Sequence, residues 1–275
     1  MISSLYSGIS GLNANTQKMS VVGDNIANVN TTGFKSTEIS FDNLINKSAA
    51  GYTGMEIGSG VLLSDVSYNW GQGTLERTTN PYDMAISGKG FFIVQTDDGE
   101  QFYTRAGEFD FDEEGNLVNP EGYVVQGYAI PAGVDPPADP AAGLVPITID
   151  PEVYQDITVD EDGVYYGVVK DPDAANFGQK VALFQIAVCD VNDKSSMAKM
   201  SGNLYTKVTP GLPETFGIPE TFGLGAVTPS TLEMSNVDLA KEFVNMIVAQ
   251  RAFSANSKVI TTSDEILQEL VNLKR

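Results

Sequence analysis

Histidine is absent from all 275 residues. That removes His-based catalytic triads, histidine general bases and His-ligated zinc or haem. Cysteine occurs once, at Cys189, so neither an internal disulfide nor a cysteine-rich metal site can form. Bases are scarce: 16 Lys and Arg stand against 36 Asp and Glu, a formal net charge of −20. Nucleic acid is held by clustered Lys and Arg, so it is not an expected partner, and anionic membrane surfaces are disfavoured for the same reason. No apolar run approaches the roughly 20 residues of a membrane span, so membrane insertion is not expected. The opening Met1-Ile2-Ser3-Ser4-Leu5-Tyr6-Ser7 has no basic stretch and no continuous apolar stretch, which argues against a cleaved secretory signal. Proline does not occur before Pro81.

What remains is globular in composition, with 42% hydrophobic and 19% charged residues. The charge is uneven. Residues 97–175 hold 19 acids against only Arg105 and Lys170, whereas residues 1–50 balance and 232–275 carry six acids against five bases. Electrically quiet ends suit packing together; a self-repelling middle suits water.

The ends read as helices. Apolar or small residues recur at three-four spacing through Ile2, Leu5, Ile9, Leu12, Thr16, Met19, Gly23 and Ile26. A second series runs through Leu239, Phe243, Met246, Gln250, Phe253, Ser257, Ile260, Asp264, Leu267 and Val271. Ser235 or Asn236 can cap its start, and Asp238 suits a helix N-terminus. Phe243, Val244, Met246, Ile247, Val248 and Ala249 place apolar groups on nearly every side of this helix, which must then be covered on several faces. A two-helix hairpin closing one monomer is the simpler reading. Two helices cannot cover such a surface, so packing of both against other copies of the chain is favoured. The expected polymerisation interface is Leu5, Ile9, Leu12, Met19 and Ile26 with Leu239, Phe243, Met246, Phe253, Ile260, Leu267 and Val271.

Between the ends the pattern is β. Phe91-Phe92-Ile93-Val94, Gly122 to Ile130 and Val181 to Val188 read as strands, and Ile157 to Tyr166 reads as a hairpin around Asp160-Glu161-Asp162-Gly163. A tandem hexapeptide, Pro213 to Ile218 and Pro219 to Leu224, reads as a duplicated linker. The expected fold class is α+β: terminal helices forming a coiled-coil-like domain and a central, mainly antiparallel β domain. The divisions are a first helix over 1–30, an extended connector over 31–75, a β-rich domain over 76–230 with an acidic Pro-rich loop at 131–178, and a second helix over 231–275.

Chemical motifs are few. Asp110, Asp112, Glu114 and Glu121, with Gly115, fall at EF-hand spacing and could offer oxygen ligands to calcium. Pro120, the long Glu114 and strand-like flanks favour a solvated turn instead. Ser196 and Lys199 match a Ser-x-x-Lys pattern by spacing alone. No catalytic residue and no cofactor is expected; a soluble acidic β-domain binding module, with calcium as its candidate ligand, is the alternative of a different class. Cys189 ends an apolar strand, where a small buried thiol is the default.

Ser4 to Leu12 and Val21 to Lys35, with the run Asn25-Ile26-Ala27-Asn28-Val29-Asn30-Thr31-Thr32-Gly33-Phe34-Lys35, resemble the N-terminal signature of bacterial flagellar rod and hook proteins. Asn80 to Phe92, Tyr103 to Gly107 and Gly202 to Tyr205 are similar to segments of that family's β-domain. Ser235 to Leu239, Gln250 to Phe253 and Leu270 to Arg275 look most like the hook protein. The resemblance implies a structural subunit of the hook, a flexible tubular coupling between rod and filament, with the distal rod as the alternative. It further implies export through the flagellar export apparatus without a cleaved signal, and location in the hook or basal body. The implied partners are the chain itself as a homopolymer, rod and hook-filament junction proteins, and the hook cap during assembly. The terminal helices would form the inner coiled coil of a tube, and the β-domain its outside.

Overall fold

The computed structural model describes residues 2–46, 57–96, 98–131, 136–140, 143–170, 177–208 and 214–273. The Gly-rich 51–56, parts of the 131–178 loop, Pro213 and the closing Lys274-Arg275 lie outside them. The chain divides into two compact units: Met1–Val29 with Lys35–Trp70 and Val237–Arg275, and Asn30–Phe34 with Gly71–Asn236.

The first unit holds helix α1 (Ile2–Ala27), strands β1 (Thr37–Asn46) and β2 (Ile57–Tyr68), and helix α2 (Leu239–Leu273). The three-four rhythm and the absence of proline let α1 run 26 residues and α2 35. The cap of α2 is Asp238, not Ser235 or Asn236: its carboxylate accepts from the backbone N–H groups of Ala240 and Lys241 at 2.9 and 3.2 Å. That geometry needs the acceptor within reach of the first free amides, which Asp238 satisfies.

Residues 31–75, expected as an extended connector, contain the antiparallel β1–β2 hairpin, with register shifts at Ser40/Phe41 and Asn43/Ile45. Its Ser, Asn and Gly content hid the strand pattern. Two features fasten it to α1. Buried Asn25 mimics a strand, its amide donating to Thr37 O at 3.0 Å while its carbonyl accepts from Thr37 N at 2.9 Å. At Gly60 (φ 113°) the backbone comes so close that a Cβ would overlap the Ser10 hydroxyl, which itself accepts from Val61 N at 3.2 Å.

The second unit carries the remaining strands: β3 (Leu75–Arg77), β4 (Met84–Ser87), β5 (Phe91–Gln95), β6 (Gln101–Thr104), β7 (Asp110–Phe111), β8 (Leu117–Val118), β9 (Val124–Ala129), β10 (Val145–Pro146), β11 (Tyr154–Val159), β12 (Val164–Val169), β13 (Lys180–Ile186), β14 (Val188–Val191), β15 (Met197–Lys199), β16 (Leu204–Lys207), β17 (Glu214–Gly217), β18 (Ala226–Pro229) and β19 (Thr231–Glu233). The main sheet runs β11-β12-β13-β9-β5-β6-β16-β15, with β14 and β17 branching from β5, and β7, β8 and β10 from β9. Its strand pairs are antiparallel. The fold class is therefore α+β, with a mainly antiparallel centre. The first hexapeptide, expected as linker, is instead strand β17 on β14. Val145 and Pro146, expected in a loop without a ladder, pair with Gly127 and Gln126.

The core is aromatic and aliphatic: Phe92, Phe109, Leu117, Val125, Ile147, Tyr165, Ile186 and Val188 are fully buried or nearly so. Phe92 and Phe109 meet edge to face at 5.2 Å, and the Tyr165 hydroxyl lies 3.7 Å from Met84 Sδ. Burying side chains of this size stabilises by roughly 1.5–3 kcal/mol each.

Three of the resembling segments converge here. Asn203 donates to Thr32 O at 2.9 Å, and the Thr104 hydroxyl donates to Asn203 O at 3.1 Å while accepting from Ala106 N at 3.0 Å. The Thr32 hydroxyl donates to Glu108 at 2.6 Å. Gly33 (φ 68°) leaves no room for a Cβ beside Ala106 N. These residues tie Asn30–Phe34 into the β unit, which gives the motif a structural role.

Candidate assembly surface

Each helix of the first unit has a packed side and an open side. On α1, Gly8, Gly11, Ala14 and Val22 are buried. On α2 the buried positions Glu242, Ala249 and Ser263 follow a heptad step through Asn256. Small residues bring the axes close: a Cβ on Gly8 would lie 3.1 Å from Ile260 Cγ1, and one on Gly11 2.7 Å from Asn256 Nδ2. The seam inside one monomer is therefore small and partly polar, displaced from the expected apolar series.

That displacement sorts the expected interface residues. Leu5, Leu12, Met19 and Ile26 on α1, and Met246, Phe253, Ile260 and Leu267 on α2, are half-buried. Ile9, Leu239, Phe243 and Val271 are exposed. Gln250 and Asp264, expected on the seam, are exposed as well, and Ser257 is half-buried. Beside Phe243 the structure exposes Val244, Ile247 and Val248, each 50–59% accessible, within two helical turns, and farther along Val259 and Ile266. Tyr6 is 67% exposed on α1. Val259, Ile266 and Tyr6 lie off the three-four series and escaped the periodic reading. Val244, Ile247 and Val248 announce themselves through the all-round apolar run.

An apolar strip of this kind can do one thing well, which is to bury itself against another apolar surface. Polar groups are placed at its edges. Glu242 accepts from the Asn245 side chain at 3.4 Å, and Lys241 lies 3.6 Å from Glu38. That exposed pair contributes little to stability.

The calcium candidates are not gathered into a site. Asp110 accepts from the adjacent Phe111 N, and Glu121 from the Asn119 side chain at 2.7 Å. Asp112 accepts from the Asn116 side chain and from the backbone N–H groups of Glu114 and Asn116, which together hold its carboxyl below the usual carboxylate range, the Asn116 side chain most. Asp110 lies on β7, Asp112 and Glu114 in the turn of the β7–β8 hairpin, and Glu121 in the next turn, between β8 and β9. A Cβ on Gly115 (φ 83°) would overlap Ile149 O, so the turn is packed against the Ile149 backbone at this point. Among the described residues no three acidic or sulfur groups stand close enough to share a metal ion. Cys189 is fully buried opposite Phe216, and burial pushes its thiol up to about 12.

Three family descriptions match along the chain in order: a flagella basal body rod protein model over residues 5–35, a flagellar hook protein FlgE/F/G D1 domain over 85–166, and a flagellar basal body rod FlgEFG protein C-terminal region over 228–273. The flagellar basal-body rod protein FlgG of Bacillus subtilis is 38% identical over 286 aligned positions spanning the whole of both chains. That of Borreliella burgdorferi is 33% identical, again end to end. The flagellar hook protein FlgE of Brucella suis is 29% identical over 394 positions, covering 98% of each chain. The order of matched segments and the full-length coverage agree, and the chain belongs to the family of flagellar basal-body rod and hook proteins, as a structural protein of the bacterial flagellum.

Proposed function

We propose that this chain is a distal rod subunit of the flagellar basal body and that it assembles into the rod through its terminal helices. The observation that carries the choice of rod over hook is length. Rod relatives align end to end with few gaps, whereas the hook relative needs 394 positions for a chain of 275 residues, so more than a hundred of its residues have no counterpart here. The closing residues that favoured the hook are a short segment, and the full-length match outweighs them.

Assembly rests on the strip Phe243, Val244, Ile247 and Val248 with the half-buried flanks Met246 and Phe253. Each side chain of Leu or Phe size that goes from half-exposed to buried contributes on the order of 1 kcal/mol, so several per subunit offset the cost of ordering. A heterologous contact that does not close makes a helical tube rather than a ring.

Immunogold electron microscopy tests the location, with an antibody to residues 131–178 applied to isolated hook–basal bodies. Label along the straight axial segment supports the rod. Label on the curved segment beyond the envelope restores the hook.

A further inference from the structure

The hexapeptides Pro213 to Ile218 and Pro219 to Leu224 share Pro-Glu-Thr-Phe-Gly and differ only in the last aliphatic residue. The structure gives the same residues two conformations. Glu214–Gly217 is strand β17, pairing Val188 with Gly217, Cys189 with Phe216, Asp190 with Thr215 and Val191 with Glu214. The Glu214 carboxylate is ion-paired with Lys207 and accepts from the Tyr103 hydroxyl at 3.1 Å. In the second copy Glu220, Phe222 and Gly223 have φ of 64°, 52° and 82°, and the Phe222 ring is 80% exposed. Left-handed backbone is unfavourable for glutamate and phenylalanine, and an exposed phenylalanine gains nothing from burial. The second copy thus has residues that form a strand in the first copy but are held here in a strained turn.

Its ends also meet. Leu224 Cδ1 lies 2.9 Å from where a Cβ on Gly217 would be, and Glu220 N donates to Gly225 O at 3.3 Å. The eight residues between β17 and β18 therefore leave and return to nearly the same place.

We propose that the second hexapeptide is a stand-in for the first: the chain can shift by six residues, so that Glu220–Gly223 pairs with β14 and Glu220 takes the place of Glu214 beside Lys207 and Tyr103. In the shifted register Leu224 fills the pocket of Ile218, and the connection to β18 shortens to Leu224 and Gly225. A two-residue link spans at most about 11 Å, and the Leu224 side chain already packs against Gly217. The observed register is the ground state because it buries Ile218 and Leu224 together, whereas the shifted one leaves the Leu224 site empty. The device moves six residues of slack from one side of the strand to the other without changing the strand's chemistry.

A double-mutant cycle on the full-length chain, read by urea unfolding and by amide exchange, tests this. Glu220→Lys alone changes an exposed turn residue and leaves the folding equilibrium constant within twofold. Glu214→Lys sets two ammonium groups side by side and drives the shift, with amide protection moving from residues 215–217 to 221–223. In that background Glu220→Lys spoils the stand-in and lowers the folding constant by a further tenfold or more. A Glu220→Lys effect that is equally small in both backgrounds, with residues 221–223 still exchanging fast, overturns the proposal. Should Glu214→Lys fail to fold, deletion of residues 213–218 decides. A folded variant with β14 amides protected supports the stand-in, and an unfolded one overturns it.

Discussion

Arg105 sits almost wholly buried, with Nη1 3.0 Å from a Glu233 carboxylate oxygen and 3.3 Å from Ile86 O, and Nη2 2.7 Å from Gly88 O. The other Glu233 oxygen accepts from Gly73 N at 2.8 Å. One guanidinium thus ties the β3–β19 and β4–β18 pairs to the main sheet. Removing one partner strands the other charge, so Arg105→Ala or Glu233→Ala should each cost about 3–5 kcal/mol in urea unfolding. The paired apolar change Arg105→Met with Glu233→Leu should cost markedly less than either. Cys189 offers a second residue-scale expectation. Its thiol, raised by burial first and by Asp190 second against the opposing pull of Lys207, stays protonated in the folded protein. The unfolded thiol ionises near pH 8.5. The stabilising difference is therefore complete below about pH 8.5 and is lost as pH rises toward 12. At pH 8 a thiol reagent should react with Cys189 only at the rate of unfolding, and fast labelling of the native chain would count against the burial.

At the scale of elements, the close approaches of the first unit are its weak points. Gly60 combines a positive φ with no room for a Cβ beside Ser10, so Gly60→Ala should detach the hairpin from α1 and cost on the order of 1–3 kcal/mol. Asn25→Ala should do the same by unpairing both polar groups of Thr37. Faster exchange of the Thr37 and Val61 amides, with α2 unaltered, is the expected reading; unchanged exchange in both variants would show that the hairpin is held otherwise. Helices and central strands were legible because their apolar periods are long and uninterrupted, as in Leu5 to Ile26 and Phe91 to Val94. The β1–β2 hairpin was not, because Asn43 and Ser59 fall where the alternation calls for apolar residues and its bulges shift the phase. β17 was not, because Pro-Glu-Thr-Phe-Gly has no intrinsic bias strong enough to decide between strand and turn, and in this chain it adopts both. The exposed strip on α2 was half legible. Apolar content along α2 marked the helix as uncovered, but the phase of the strip depends on which side Gly8 and Gly11 draw against it, and that is set by tertiary packing.

For the whole molecule the question is how a chain of net charge −20 associates with its own copies. The charge resides mainly in residues 97–175, all within the β unit, while α1 and α2 are nearly balanced. On the proposed assembly, association through the helices would bring together the least repulsive surfaces, and the apolar strip on α2 would supply the attraction. Substitution there separates folding from assembly. Phe243 and Val248 are 51% and 54% exposed in the monomer, so Phe243→Asp and Val248→Asp remove little intramolecular packing and should leave helical circular dichroism and the unfolding midpoint nearly unchanged. In an assembled tube the same carboxylates would be buried without partners, at several kcal/mol per contact, which is enough to prevent growth. The expected result is a folded, monomeric chain by sedimentation that fails to restore motility to cells lacking the wild-type copy. A control on the packed side, Ala249→Leu, should instead lower the unfolding midpoint, because that position is fully buried. Normal assembly by both aspartate variants would move the interface to another face of the helices.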